Sequence, residues 1–515
     1  MARVHDPRER KARGRFGLFA RSCRLAVVVS VLAVRGSAAS GGESTSYLKI
    51  ARACADALIK HGRDDLGPQR TGMILSMLDR RTLRPPTKLP KAPAGIRKAD
   101  RTTLFGSNAN LQQNLYVAWL HLSRLTGEPG YARAAREALI DFLRLAQHPD
   151  TGLLAWGEHL CWDCRTDTPG TLMGAKLIHE PKRKVQFFDL LYAAEPERTL
   201  AYARGLWEHQ IADHKTGNFS RHARYDAHGP GKDYDFPKEG SYFIDCWSRA
   251  LQKSHDRTFL EAIRVLAQRY LGKLNDHDRM DFDSTTRPER ENNCITIQNL
   301  GLAIECHDAA TRVDSQTAKV LRQLAGRLDR GFLALPHAPA DPKRGFVYCV
   351  YTDSGELRPR KGGDGHSRHW GMGYGAKSTM MYGLLCHTRQ AHLGKTPAGR
   401  AYRGLVLAAA DLYRGLAPDP RGQDLWAGEY GMAIFLEIAA YRLGGNQAYL
   451  DRARALADQA IAVFWDGDGP LPRASSRTRH YEAITRPDTL ILALLALHEH
   501  VSGLEPKIPI SDVDR

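Results

Sequence analysis

The chain has 515 residues, 43% of them hydrophobic and 25% charged, enough apolar material for a sizeable core and an ordinary charge content for a soluble globular protein. Its formal net charge is +17, which favours polyanionic partners. No basic run is interleaved with aromatics in the manner of a nucleic-acid module, so the expectation turns from nucleic acid to an acidic polysaccharide.

The first 39 residues read as a secretory signal. Nine Lys/Arg and two acids there carry +7 of the +17, so +10 remains for the rest. An Arg-rich stretch precedes the apolar run LAVVVSVLAV (25–34), and the small residues GSAAS follow, which places the expected cleavage after Ala39. The run is too short to span a bilayer comfortably, and no other apolar stretch is long enough. The mature protein is therefore expected in the periplasm or outside the cell, with no stable membrane insertion after signal cleavage. Residues 40–515 are expected to form a single catalytic domain.

Along the mature chain a weak repeat dominates. SYLKIARACADALIKH (46–61) is a first candidate helix. RRTLRPPTKLPKAPAGIRKADR (80–101), rich in Pro and Lys/Arg, reads as a loop or extended arm. ANLQQNLYVAWLHLSRL (109–125) is helical in pattern and leads into LTGEPGYARAAREALIDFL (125–143). That second segment opens on a polar turn, continues with an aromatic and then places apolar residues at i, i+3, i+4 and i+7, the pattern of a turn-started amphipathic helix. The same style recurs at 191–211, 251–271, 312–328 and 396–413. It appears again at 443–461, just after the helical stretch GMAIFLEIAAYRL (431–443). Strand signals are sparse, and two helices per unit repeated along the chain indicate helical hairpins. The fold class expected is all-α, an (α/α) toroid built as an incomplete barrel of about seven helical hairpins. An open helical solenoid is the rival. The Gly- and aromatic-rich connections GLLAWGEH, TGNFSRHARYD and RKGGDGHSRHWGMGYG favour the ring, because such loops would build a cleft at one end of it.

Nine cysteines occur, and Cys161 with Cys164 forms a CxxC without the second CxxC of a zinc ribbon. A local disulfide or two ordinary thiols is the reading there.

The candidate site lies in three of the loops. His159 ends GLLAWGEH, Glu180 sits in KLIHEPK, and His222 follows Arg221 in NFSRHARYD. Two imidazoles and a carboxylate suit manganese, iron, nickel or zinc better than calcium, which prefers an all-oxygen shell. Three protein ligands would leave positions open for water and substrate. A guanidinium beside such an ion suits a substrate that carries a carboxylate. With 21 histidines in the chain, residue types alone leave open a polar cluster that binds no metal. Trp156 is a candidate for stacking on a sugar ring, or else core. Arg224, Lys238 and Arg368, with Lys182, are candidates for binding uronate carboxylates. His366 and His369 form an HxxH in a Gly-rich loop, more in keeping with cleft-facing side chains than with a second metal site.

From Gly106 to Trp247 the chain resembles the family 2 polysaccharide lyases, pectate lyases with an (α/α)7 toroid. The likeness is carried by SNANLQQNLYVAWLHLSRLTGEPGY, GLLAWGEH, HEPK, NFSRHARYD and EGSYFIDCW. The steps of 21 residues from His159 to Glu180 and 42 from Glu180 to His222 are similar to that family's ligand spacing. The resemblance implies that His159, Glu180 and His222 bind a divalent transition ion, typically Mn2+, and that Arg221 is the Brønsted base. The implied reaction is β-elimination of pectate (polygalacturonate), an oligogalacturonide or a related polyuronate. The proton on C5 lies α to the carboxylate, so the developing carbanion needs that carboxylate neutralised by a Lewis acid and by fixed positive charge. Glu158 departs from the pattern, standing where the family carries a second glycine, and an extra carboxylate there would either add a ligand or repel an acidic substrate. Two rivals remain on the residues alone. One is a glycoside hydrolase on a similar toroid, with its acid and base drawn from Glu158, Glu180, Asp245 and Glu429. The other is a noncatalytic glycan-binding toroid.

Overall fold

A computed structural model describes residues 41–174, 176–229, 236–281, 292–359, 363–371 and 378–514, with side chains from residue 46 onward. The proposed signal segment lies outside them. Fourteen α-helices lie among the described residues: α1 (Gly41–His61), α2 (Gln113–Thr126), α3 (Gly130–Ala146), α4 (Phe188–Ala194), α5 (Pro196–Gly205), α6 (Pro237–Ser254), α7 (Arg257–Lys273), α8 (Thr296–Ala309), α9 (Ser315–Leu333), α10 (Thr379–Leu393), α11 (Pro397–Gly415), α12 (Ala427–Gly444), α13 (Gln447–Phe464) and α14 (Pro487–Val501). The polar residues that open the repeats work as caps. Asp256 accepts from Thr258 N, Asp314 from Gln316 N and Thr317 N, Thr396 from Gly399 N, and Asn446 from Ala448 N. Each satisfies amide groups that the first turn leaves without an intrahelical partner.

Two kinds of helix alternate. The helices α3, α7, α9 and α11 bury one stripe and expose the other. By contrast α12 is buried at every residue from Ala427 to Ala440, and α14 from Pro487 to Glu499. A helix apolar all round has neighbours on all sides. Accordingly α6, α8, α10, α12, α14 and α2 pack in succession, each beside the next, while α7, α9, α11 and α13 pack outside their partners α6, α8, α10 and α12. The last helix, α14, also packs on α1 and α2, so the row of hairpins returns on itself. This is the all-α (α/α) toroid, with six inner helices, α2, α6, α8, α10, α12 and α14, each beside an outer one, and the broken pair α4–α5 between α3 and α6, against the expected seven or so hairpins. The segment 191–211 departs from the expected single helix. It breaks at Glu195–Pro196, because a proline amide cannot continue the bonding of α4 and instead starts α5. No described helix is long and apolar enough to cross a membrane.

Eleven short strands lie in the connections among the described residues: β1 (Met77–Asp79), β2 (Gly106–Ser107), β3 (Cys161–Asp163), β4 (Thr168–Gly170), β5 (Ile178–His179), β6 (Ile211–Asp213), β7 (Asn218–Phe219), β8 (Ala223–Arg224), β9 (Cys294–Ile295), β10 (Cys349–Val350) and β11 (His480–Glu482). The pairs β1–β11, β5–β8, β6–β7 and β9–β10 and the sheet β2–β3–β4 are all antiparallel. Cys161 and Cys164 are separate buried thiols rather than a disulfide.

Glu437 is a polar residue inside the apolar α12, and neither of its buried carboxylate oxygens accepts a hydrogen bond. Burial pushes its carboxyl up to about 9, against the weaker pull of Arg452 and Arg414. The folded protein therefore holds a proton there that the unfolded chain releases near its ordinary pKa of about 4.3. Stability from this group is complete at low pH and is lost as pH rises toward that folded value. Glu437→Gln is expected to unfold several degrees above the parent at pH about 9, with the gap closing at pH about 5. Melting curves at the two pH values check this, and a gap independent of pH would contradict it.

Candidate metal centre

Three loop segments, 157–159, 178–182 and 220–224, meet through backbone pairing. Gly157 and Glu180 form a parallel bridge, and Glu158 N donates to Glu180 O at 2.9 Å. The approach is so close that a Cβ on Gly157 would fall 2.0 Å from Glu180 O, and Gly157 has φ +100°. Only glycine adopts that conformation in that space without strain. On the other side β5 pairs with β8, setting His179 opposite Ala223, so Glu180 comes beside His222. Gln210 ties the same two segments together. Its Oε1 accepts from His179 Nδ1 at 2.7 Å, and its Nε2 donates to Ser220 O at 2.7 Å.

The asparagines of the SNAN motif hold the remaining ends. Asn108 Nδ2 donates to the carbonyls of Gly157 (2.9 Å) and Leu160 (3.0 Å). Asn110 Oδ1 accepts from Lys182 N (2.9 Å) and Arg183 N (3.1 Å), while its Nδ2 donates to Arg183 O. Gly157→Ala is expected to destabilise the protein by about 3 kcal/mol, from positive φ and the clash together, and to pull His159 away from Glu180. Chemical denaturation and the unfolding midpoint with and without Mn2+ report the two effects, and an unaffected variant would show that the close approach is dispensable.

The histidines point at one carboxylate oxygen. His222 Nε2 lies 2.9 Å and His159 Nε2 3.5 Å from Glu180 Oε2, and the three residues present ligand atoms within 4.8 Å of one another. The ring centroids are 5.6 Å apart. His159 Nδ1 is 2.8 Å from the carbonyl of Ala99. A carbonyl only accepts, so Nδ1 carries a hydrogen, and in the neutral ring Nε2 is the nitrogen free to ligate. This carbonyl-oriented imidazole is the usual support of a metal-ligating histidine. Glu180 Oε2 is buried and accepts no hydrogen bond, which costs free energy in a cluster with no further partner. The donor set and its orientation thus fit a borderline divalent ion. The His222 side chain is 27% exposed while those of His159 and Glu180 are at most 4% exposed, so the cluster opens to solvent on the His222 side.

Arg221 forms a tight ion pair with Glu180 Oε1 and stands 3.8 Å from Glu158 Oε2. Its guanidinium lies over the Phe236 ring, 4.7 Å from the centroid. Glu158 is further bound by Arg97 at 3.0 Å and Lys182 at 3.3 Å. Burial raises the proton affinity of Glu180, but Arg221, His222 and His159 together outweigh it and hold the carboxyl well below the usual range. Glu158 is pushed up by burial and by Glu180, yet Lys182, Arg221 and His159 bring it below its ordinary value. Burial lowers the affinity of the Arg221 guanidinium, and Glu180, Glu158 and Glu239 more than offset that, leaving it raised. Burial draws Lys182 down to about 8.

His159, Glu180, His222 and Arg221 are therefore neighbours, as their loop positions predict. The outer candidates fare differently. Trp156 is fully buried among Phe142, Phe187 and Tyr202, so the sugar-stacking expectation is corrected: no face of its ring is open, and it packs the core under the site. Arg224 is exposed and paired with Asp226 at 2.8 Å. Lys238, at the start of α6, pairs with the buried Glu239 at 2.9 Å and feels both Glu158 and Glu180. Arg368 is exposed, with its carbonyl accepting from Thr379 N. Both ring nitrogens of His369 have partners, Thr379 Oγ1 and Pro342 O. The basic segment 80–101 is more than an arm, since its turn at Lys98–Asp100 delivers Arg97 to Glu158 and the Ala99 carbonyl to His159. Sequence periodicity carries no signal for that delivery. The alternation of asparagines in SNAN is the one local hint of the clamp.

Comparison with known proteins places the cluster in context. A pectate disaccharide-lyase of Dickeya dadantii (strain 3937) is 25% identical over 119 residues, 23% of this chain and 22% of that protein. The match thus spans about a fifth of the relative's length. The fold is similar to that of an alpha-1,2-mannosidase from Trichoderma reesei, with a TM-score of 0.52 and 9% identity over 88% of this chain and 93% of that one. At that identity the likeness is one of fold alone. The stretch that carries all four residues of the cluster matches a family model: residues 89–281 match the family described as periplasmic pectate lyase, the same family that the motifs between Gly106 and Trp247 resemble.

Proposed function

We propose that the protein is an exported polysaccharide lyase, dependent on a divalent transition ion such as Mn2+, that cleaves polygalacturonate or a related polyuronate by β-elimination. In this reading residues 1–39 are the signal and residues 40–515 the single catalytic domain. The observation that carries it is the convergence of His159, Glu180, His222 and Arg221 within a segment matched by the pectate lyase family.

His159, Glu180 and His222 would hold the ion. When bound it supplies Lewis acidity to the uronate carboxylate and so stabilises negative charge growing at C5. Arg221 pairs with Glu180 and is held charged by it. Were Glu180 to serve as a ligand, the guanidinium would lose part of that pairing and its proton affinity would fall, which would suit it to take the C5 proton. Arg97, Lys182 and Lys238 line the same region and add fixed positive charge toward an anionic chain. Glycoside hydrolysis would need one carboxyl group protonated as general acid. Glu158 is paired with Arg97 and Lys182 and Glu180 with Arg221, an environment that favours the carboxylate form instead.

The test is incubation with polygalacturonate, with Mn2+ or with a chelator, following the ultraviolet absorbance of the conjugated unsaturated uronide. A metal-dependent rise is expected. New reducing ends without that absorbance would move the assignment to hydrolysis.

A further inference from the structure

The basic segment 80–101 carries eight Lys/Arg and one acid, Asp100, and the structure sorts those cations into two kinds. All five arginines pair with carboxylates, and even the exposed Arg81 and Arg84 do so, with Asp468 and Asp65. The three lysines, Lys88, Lys91 and Lys98, are exposed, and none of their ammonium groups has a partner among the described residues. Unpaired charges of one sign on one segment attract a polyanion.

The backbone beneath these lysines is held in place. Pro85, Pro86, Pro90 and Pro93 fix φ along the run. The Pro90 carbonyl accepts from Arg101 Nη1 at 2.7 Å. Ala94 N donates to Asp424 Oδ2 at 2.8 Å, and the Ala94 carbonyl accepts from Trp426 Nε1 at 3.2 Å. Ile96 is buried with Leu111, Trp426 and Ile484. The lysines therefore stand on a pre-ordered base, so less freedom is lost there when a chain binds. The exposed Arg477, whose amide shares Asp424 with that of Ala94, adds charge beside the segment. At its far end the same segment reaches the candidate site, where Arg97 meets Glu158 at 3.0 Å and the Ala99 carbonyl meets His159.

We propose that Lys88, Lys91 and Lys98 form a docking track for a polyuronate chain, holding sugars beyond the one that reacts at the cluster. This rests on the polyuronate reading of the site. The partner is a linear polyanion with a carboxylate on each sugar, and successive ammonium groups on a stiff backbone complement it in charge. A short oligouronide occupies the cluster without reaching the track. The track therefore acts on KM for long chains and leaves the chemistry at Arg221 unchanged.

The experiment compares polygalacturonate with trigalacturonate as substrates of the whole chain with Mn2+, and the unfolding midpoint of each variant confirms folding. Lys88→Gln, Lys91→Gln and Lys98→Gln combined are expected to raise KM for the polymer about eightfold, at about twofold for each exposed contact. Turnover and KM for the trimer are expected to stay within about twofold of the parent. Added salt is expected to shrink the difference, because exposed charges are screened. Arg81→Gln with Arg84→Gln removes exposed cations that are already paired and is expected to leave KM for the polymer within about twofold. Calorimetric binding of polygalacturonate in chelator makes the same comparison without turnover. A parent-like polymer KM in the triple variant would overturn the track and leave the lyase reading standing. Equal weakening for polymer and trimer, or equal weakening by the arginine pair, would do the same. Lysine-dependent polymer binding with no elimination by the parent would remove the lyase reading and keep the track. Tighter lysine-dependent binding of RNA than of polygalacturonate would reassign the surface and overturn the proposal.

Discussion

Arg221→Ala is expected to lower kcat/KM for polygalacturonate elimination by about 10³-fold or more, with Mn2+ binding retained or tightened. The first half follows from removing both the proton acceptor and a preorganised positive charge beside the developing carbanion, effects of about 10²–10⁴-fold and 10²–10³-fold where they have been separated. The second half follows from the ion pairs of Arg221. Arg221 occupies Glu180 Oε1 and stands near Glu158, so an incoming cation competes with the guanidinium for the same carboxylates. Taking the guanidinium away removes both that competition and the repulsion between like charges. Arg221→Lys separates the two roles, because an ammonium keeps the charge but not the planar fork. Turnover rates read with calorimetry decide the matter. Activity within tenfold of the parent would remove Arg221 from the chemistry, and loss of Mn2+ binding in Arg221→Ala would show that it supports the ion rather than competing with it.

Glu180→Gln is expected to abolish Mn2+-dependent activity and, separately, to weaken the ion-free protein by on the order of 3 kcal/mol. Glu180 is wholly buried and meets Arg221, His222 and His159 at once. A neutral amide leaves Arg221 buried with less compensating charge, and breaking a buried ion pair from one side is costly. Glu158 and Glu239 remain near Arg221 and limit the loss. Ion binding adds a second readout, since a ligand at about 100 times its Kd stabilises the folded state by about 2.7 kcal/mol. The parent is expected to melt higher with Mn2+ than without it, and Glu180→Gln to melt at the same temperature in both. A metal-dependent rise retained in the variant would remove Glu180 from the ligand set.

What was legible in the sequence divides along the two kinds of helix. The outer helices α3, α7, α9, α11 and α13 announce themselves because one face meets water, so apolar and polar residues must alternate with the helical period. Their polar openings are legible for an equally local reason, in that Asp256, Asp314, Thr396 and Asn446 cap amides a few residues away. The inner helices α8, α10 and α14 are apolar nearly all round and show no such period, so only their place between outer helices could suggest them. The break at Pro196 is written in the sequence, yet the periodic pattern running through 191–211 masks it.

The site divides in the same way. Residue types and spacing, with the family resemblance, were enough to bring His159, Glu180, His222 and Arg221 together on paper, because each stands in a short motif with its own turn. They could not tell that Trp156 faces inward, since an aromatic beside a glycine reads alike in a core and in a cleft. Nor could they show Arg97, Ala99 and Asp100 arriving at the cluster from some sixty residues earlier. The sequence by itself determined the helical repeat, its caps and the residue types offered by each loop of the site, all properties of neighbouring residues. Only the tertiary structure decided which nitrogen of His159 faces Glu180 and that Glu158 adjoins the cluster, held by Arg97 and Lys182. Those depend on backbone pairs between distant segments, where a glycine at 157 and two asparagines at 108 and 110 bring separate loops within hydrogen-bond reach.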